Sequence, residues 1–169
     1  SSVEALEDGG YAFCGRYDDT DASERYLLLV KLDAAGDTVF VNRYDSTFVT
    51  APDLIEVSTG GFLLVGHSFE LDYMVMRLDA AGDMIWSRRY DVSNMSNNPS
   101  VIECIDGNFF ISGGTSFITS MFKIDTSGDL LWDGRYKGND LGGGINVQPM
   151  NKAQQTSDGG LIIPGSSFN

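Results

Sequence analysis

Positive charge is scarce in this sequence. Its 169 residues hold 11 Lys and Arg against 24 Asp and Glu, a single His, and a formal net charge of −13. Phosphate backbones and anionic lipid surfaces repel so acidic a chain, which argues against nucleic-acid partners and membrane binding. No apolar run approaches the roughly 18 residues of a membrane span, so no membrane insertion is expected. No stretch reads as a signal peptide. There is no Gly-x-Ser-x-Gly elbow, no phosphate-cradling loop and no dinucleotide fingerprint. Helical periodicity is also missing: no segment keeps that spacing over about 11 residues. What is present is a core-forming share of apolar residues, 42%, too many for a disordered chain.

Those residues recur. Lys31-Leu32-Asp33-Ala34-Ala35-Gly36-Asp37 returns as Arg77-Leu78-Asp79-Ala80-Ala81-Gly82-Asp83 and as Lys123-Ile124-Asp125-Thr126-Ser127-Gly128-Asp129, at a spacing of 46 both times. The same spacing of 46 relates Phe40, Trp86 and Trp132, and likewise Tyr44, Tyr90 and Tyr136. A second signature precedes each copy: Asp8-Gly9-Gly10-Tyr11, Thr59-Gly60-Gly61-Phe62, Asp106-Gly107-Asn108-Phe109 and Asp158-Gly159-Gly160-Leu161, at spacings of 51, 47 and 52. Insertions therefore fall between fixed elements. The copies run over residues 3–53, 54–100, 101–152 and 153–169, the last stopping after its second strand.

Each complete copy reads as four short strands rich in β-branched and aromatic residues, bounded by Gly and Asp. In the Asp-x-x-Gly-Asp turns, Asp33, Asp79 and Asp125 can accept backbone N–H bonds as Asx-turns. Gly36, Gly82 and Gly128 can take the left-handed conformation that closes a bulged hairpin. Phe40/Tyr44, Trp86/Tyr90 and Trp132/Tyr136 stand four apart on the last strand of each copy, hence on one face, as residues for packing on a neighbouring sheet. Four antiparallel strands per repeat of this length describe the blade of a β-propeller. The fold class is therefore all-β: about three and a half blades, fewer than the four that close the smallest ring. The chain reads either as part of a larger propeller or as an open arc completed by another protein.

The string Tyr26-Leu27-Leu28-Leu29-Val30-Lys31-Leu32-Asp33-Ala34-Ala35-Gly36-Asp37, with the aromatic strand after it and the Gly-Gly-aromatic strand of each copy, resembles the repeats of the bacterial seven-bladed β-propeller repeat family. It is also similar to the Asp-Gly-Gly propeller repeats of secreted surface proteins and lipoproteins. The resemblance covers nearly the whole chain and implies a secreted or cell-surface location with a scaffolding, adhesive or ligand-displaying role. Its motifs are turn and packing residues, so it assigns no catalytic residue.

Other residues offer less chemistry. Cys14 and Cys104 are the only cysteines. They are read in the second strand of the first copy and the first strand of the third. That separation exceeds the about 7 Å a disulfide tolerates, so free buried thiols are expected and zinc is not. His67 is the lone histidine, read as loop decoration beside Ser68. Asp19, Asp21 and Ser23 alternate like the first ligands of a calcium loop, with Glu24 as a fourth carboxylate beside them, but Glu24 occupies the glycine position and the distal Glu is missing. Calcium is thus the one cofactor suggested, and a solvated loop is the simpler reading. The aspartate pairs of the turns repeat in every copy, which marks turn chemistry where a catalytic pair would occur once. Arg43, Arg89 and Arg135 are expected to bridge blades to a carboxylate. Irregular segments at 18–24, 91–99 and 137–148 are where a ligand would bind, with Asn94-Met95-Ser96 a lone glycosylation sequon.

Three functional expectations follow. The first is a non-enzymatic structural or adhesive module, whose partners are the remaining blades of its own chain or another subunit. The second is recognition of a glycan or protein by the irregular loops. The third is a propeller enzyme with its active site outside this segment.

Overall fold

The computed structural model describes residues 2–19, 24–45, 53–68, 72–92, 99–114, 118–137, 148–149 and 152–166. Every regular element among them is a β-strand. None is a helix long and apolar enough to cross a membrane. The first sheet is β1 (Ser2–Ala5), β2 (Tyr11–Asp19), β3 (Glu24–Leu32) and β4 (Thr38–Asp45). The second is β5 (Asp53–Glu56), β6 (Phe62–His67), β7 (Tyr73–Leu78) and β8 (Met84–Tyr90). The third is β9 (Ser100–Glu103), β10 (Phe109–Gly114), β11 (Ile118–Ile124) and β12 (Leu130–Lys137). All three are antiparallel, with strands side by side in chain order.

The fourth copy contributes an inner hairpin whose two strands are each broken in two. β13 (Gln148–Pro149) pairs with β16 (Gly165–Ser166), and β14 (Gln154–Gln155) pairs with β15 (Leu161–Ile162). Sheet membership moves the copy boundaries slightly. Asp53 and Ser100 open the first strands of the second and third sheets, and Gln148 already belongs to the fourth copy. The repeat therefore starts with the edge strand rather than after its first residue.

Turn chemistry sets the strand ends. Asp33 Oδ1 accepts the N–H groups of Ala35 and Asp37, each at 2.9 Å. Asp79 holds Ala81 and Asp83 in the same way, and Asp125 holds Ser127 and Asp129. Gly36, Gly82 and Gly128 have φ of 88°, 82° and 83°. A Cβ crowds the backbone in that conformation, so glycine occupies it. The register shifts by one residue beside each turn, at Lys31/Leu32, Arg77/Leu78 and Lys123/Ile124. Such a bulge increases local twist.

The core lies between sheets, not within one. Ala12, Cys14, Leu27 and Leu29 of the first sheet meet Leu54, Phe62, Leu64, Met76 and Leu78 of the second. Alternate residues of that second sheet, Leu63, Val65, Tyr73 and Val75, point the other way onto Val101, Phe109, Ile111, Phe122 and Ile124 of the third. Period-two side-chain alternation lets one sheet serve both interfaces. Every residue of β6 is therefore buried. A smaller cluster joins Cys104 and Phe110 to Ala153, Leu161 and Ile163 of the fourth copy. The first strands lie next to one another, β1 beside β5 and β5 beside β9.

Candidate functional site

The residues that recur in the sequence meet at the sheet-to-sheet contacts. Tyr44 Oη donates to the Gly82 carbonyl at 2.5 Å, and Tyr90 Oη to the Gly128 carbonyl at 2.6 Å. The last strand of one sheet thus grips the glycine turn of the next. Phe40 and Tyr44 pack on the first interface and Trp86 and Tyr90 on the second. Burial pushes the Tyr90 phenol up to about 12 and raises that of Tyr44, so both remain donors at neutral pH. A Cβ on Gly82 would lie 3.1 Å from the Phe40 ring and closer still to the Asn42 amide; on Gly128 it would lie 3.0 Å from Arg88 and 3.2 Å from Trp86. At Gly36 it would meet nothing within 4 Å. Those two glycines are needed for the close approach as well as for the turn.

The third copy differs. Trp132 is 41% exposed and Tyr136 is 52% exposed. Trp132 keeps one ring contact, with Phe110, at a centroid distance of 5.9 Å. The structure thus leaves both residues of this packing pair partly uncovered.

Other contacts were not singled out by the repeats, although their spacing carried a signal. Glu56, Glu103 and Gln155 follow the same intervals as the glycine signature, and each reaches back to the preceding copy. Glu56 accepts the Glu7 N–H at 2.8 Å, Glu103 the Ser58 N–H at 2.8 Å, and Gln155 the Ile105 N–H at 2.6 Å. Asp53 is a hub between three sheets, accepting Ser2 Oγ at 2.9 Å and the Val101 N–H at 3.0 Å. Lys152 Nζ lies 3.4 Å from Asp53 and 3.5 Å from Glu4, which ties the fourth copy to the first two. Nothing about Asp53 or Lys152 repeats, so only the fold identifies them. Glu4, Glu7, Glu56, Ser58 and Glu103 line one acidic pocket here.

The arginine expectation needs correction. Arg89 pairs with Asp72 of its own sheet. Arg88, one residue earlier, makes the inter-sheet pair, with Asp129 at 2.5 Å. Strand alternation explains the difference, since Arg88 and Arg89 project from opposite faces. The first residue of each long motif has a local role instead. Lys31 pairs with Asp8 at 2.8 Å and Lys123 with Asp106 at 2.6 Å. These ion pairs hold both carboxyls below the usual carboxylate range. Where the second copy has Thr59 in place of that Asp, Arg77 turns inward to the Gly60 carbonyl at 2.6 Å and to the Phe62 carbonyl.

His67 is not loop decoration: it ends β6 and is 6% exposed. Burial lowers its pKa, since the apolar surroundings disfavour the imidazolium. Neither Cys14 nor Cys104 is in a disulfide, and both are buried. Burial pushes the Cys14 thiol up to about 12 and raises that of Cys104. Cys104 sits just past β9, in the glycine turn, where its N–H bonds the Asn108 carbonyl at 2.8 Å. For the calcium candidate, Asp19 and Glu24 are backbone partners at the ends of β2 and β3. Asp21 and Ser23 lie outside the described residues, as do the sequon and most of segments 91–99 and 137–148. Among the described residues, no group of three or more His, Cys, Asp or Glu side chains is placed to hold a metal ion.

These features define an all-β repeat protein built from stacked four-stranded antiparallel sheets. No protein-family profile and no curated protein sequence matches the chain. Solved structures do match it. One is a crystal structure at 1.35 Å of a protein of unknown function from Bacteroides caccae, 13% identical over 94% of this chain, with a TM-score of 0.53. This chain spans 57% of that one. The likeness is one of fold.

Proposed function

We propose that this chain is about three and a half blades of a β-propeller and serves as a non-enzymatic structural or adhesive module of an extracellular or cell-surface protein. The observation that carries the reading is the repeated grip of Tyr44 on Gly82 and Tyr90 on Gly128. The recurring aromatic, glycine and aspartate positions contribute to turns or to sheet-to-sheet packing, which is the economy expected of a scaffold. The resemblance to propeller repeats of secreted and surface proteins supports the location. The module works through its blade faces, its edges and its loops.

The reading is tested on the whole chain by sedimentation velocity over a concentration series, alongside a glycan array. Association that disappears when the exposed aromatics Phe13 and Trp132 are replaced by Ser supports a face-to-face assembly module. A monomer at every concentration with saturable binding of one glycan overturns it in favour of a ligand-binding propeller.

A further inference from the structure

Four features of the fourth copy and its neighbour call for the same partner. Among the described residues Tyr136 has no glycine turn to grip, whereas Tyr44 and Tyr90 each have one, and Tyr136 is 52% exposed where Tyr90 is 7% exposed. Trp132 lies 41% exposed at the position where Trp86 donates to the Thr126 carbonyl of the following turn. Asp158 occupies the place of Asp8 and Asp106. Those two bind a Lys from the third strand of their own sheet, while among the described residues Asp158 bonds within its turn, to Thr156 and Gly160. Among the described residues β15 has one ladder, to β14, where β2, β6 and β10 have two.

We propose that this face is the seat of one specific element, the outer hairpin of the fourth repeat, carried in the same polypeptide. Its third strand would pair with β15 and bring a Lys or Arg to Asp158. Its Asp-x-x-Gly-Asp turn would present a glycine carbonyl to Tyr136 and cover Trp132. The inference rests on the propeller reading above and extends its sheet-to-sheet interface by one repeat. The same polypeptide is favoured over a second copy for two reasons. In each complete sheet the third strand follows the second after three to five residues, from Asp19 to Glu24, His67 to Tyr73 and Gly114 to Ile118. Moreover, β3–β4, β7–β8 and β11–β12 are already paired with their own second strands. A second copy could lend such a hairpin only by opening a finished sheet.

The test appends residues 24–45, which carry Lys31 and Gly36, to Asn169 through a short connector, with a scrambled hairpin as control. The expected result is a rise in Tm of at least about 5 °C, with a blue shift of Trp132 fluorescence in a Trp86→Phe background. Tyr136→Phe and Asp158→Asn should each lower the Tm of the extended chain by more than that of the original chain. Gly36→Val in the appended copy alone should abolish the gain. No rise, an equal rise with the scrambled hairpin, or a rise indifferent to these substitutions overturns the proposal. A dimer of the unextended chain that Tyr136→Phe dissociates also overturns it, by making a second copy the occupant, and leaves the structural-module reading standing. That reading fails on a separate result, glycan binding by a monomer.

Discussion

The second and third sheets have the same four-strand order and the same turn, yet they differ sharply in burial. In the second, β6 is buried throughout and Tyr90 is 7% exposed. In the third, the equivalent Tyr136 is 52% exposed. The second sheet has a complete sheet on each side; the third has a complete sheet on one side and a two-stranded hairpin on the other. Burial at these positions therefore follows from the neighbour, and the identical local pattern does not determine it. In repeat architectures stability resides largely in such nearest-neighbour interfaces.

The sharpest way to break the comparison is to remove one ring from each side of the third sheet. Phe122 is fully buried against Tyr73 and Tyr90, with centroid distances of 5.0 and 5.1 Å. Phe122→Ala should cost about 3–5 kcal/mol in urea unfolding, through lost transfer energy and a cavity. Trp132→Ala should cost less than about 1 kcal/mol, as at other largely exposed sites. Similar losses at both would place hidden cover over Trp132.

Glycines give the next contrast. Gly36→Ala and Gly82→Ala impose the same left-handed strain, but only Gly82 also faces Phe40 and Asn42. Gly82→Ala should exceed Gly36→Ala by about 1–3 kcal/mol, the usual range for overpacking. Equal effects would mean that the turn alone needs glycine.

Hydroxyl removal is milder. Tyr90→Phe deletes the bond to the Gly128 carbonyl and should cost about 1 kcal/mol in chemical denaturation. Tyr136→Phe should stay within about 0.5 kcal/mol.

A pH scan separates the second sheet once more. The folded pKa of His67 is lowered by burial, so the unfolded state binds its proton first. Its contribution is fully present above the ordinary histidine value of about 6.5 and is lost as pH falls through the folded value. The Tm of the wild-type chain should thus decline from pH 7 to pH 5 more steeply than that of His67→Gln. The lowered carboxylates Asp8 and Asp106 act in a more acidic window, below the ordinary aspartate value of 3.8. Parallel curves for the two proteins would remove His67 as the cause. The smallest effect is chemical: with Cys14 pushed up to about 12, native protein should leave that thiol unmodified by an aromatic disulfide reagent at pH 8. Prompt reaction before unfolding would show an open first interface.

Much of this architecture was legible in the sequence because turns are local. Asp33, Asp79 and Asp125 bond within four residues of themselves, and the glycine between needs only its own φ. Strand order was legible for the same reason, since short connectors allow little besides neighbouring strands. The inter-sheet contacts were harder to read. Arg88, rather than the repeating Arg89, spans the interface because strand alternation selects it, and that choice depends on which face the neighbour covers. His67 looked like a loop residue because its strand runs one position past the glycine. The fourth copy's broken strands followed from no pattern.

The repeat by itself determined the all-β class, the four-strand unit, the two turn types and the residues that sheets offer one another. Only the tertiary structure decided which offers are taken. Tyr44, Tyr90 and Tyr136 are alike in sequence, and the first two find a glycine carbonyl while the third meets solvent. Asp53 and Lys152 come together from distant positions without any periodic signal. Hydrogen bonds within a turn depend on sequence neighbours, whereas burial and inter-sheet pairing depend on what lies across a gap that the local sequence does not describe.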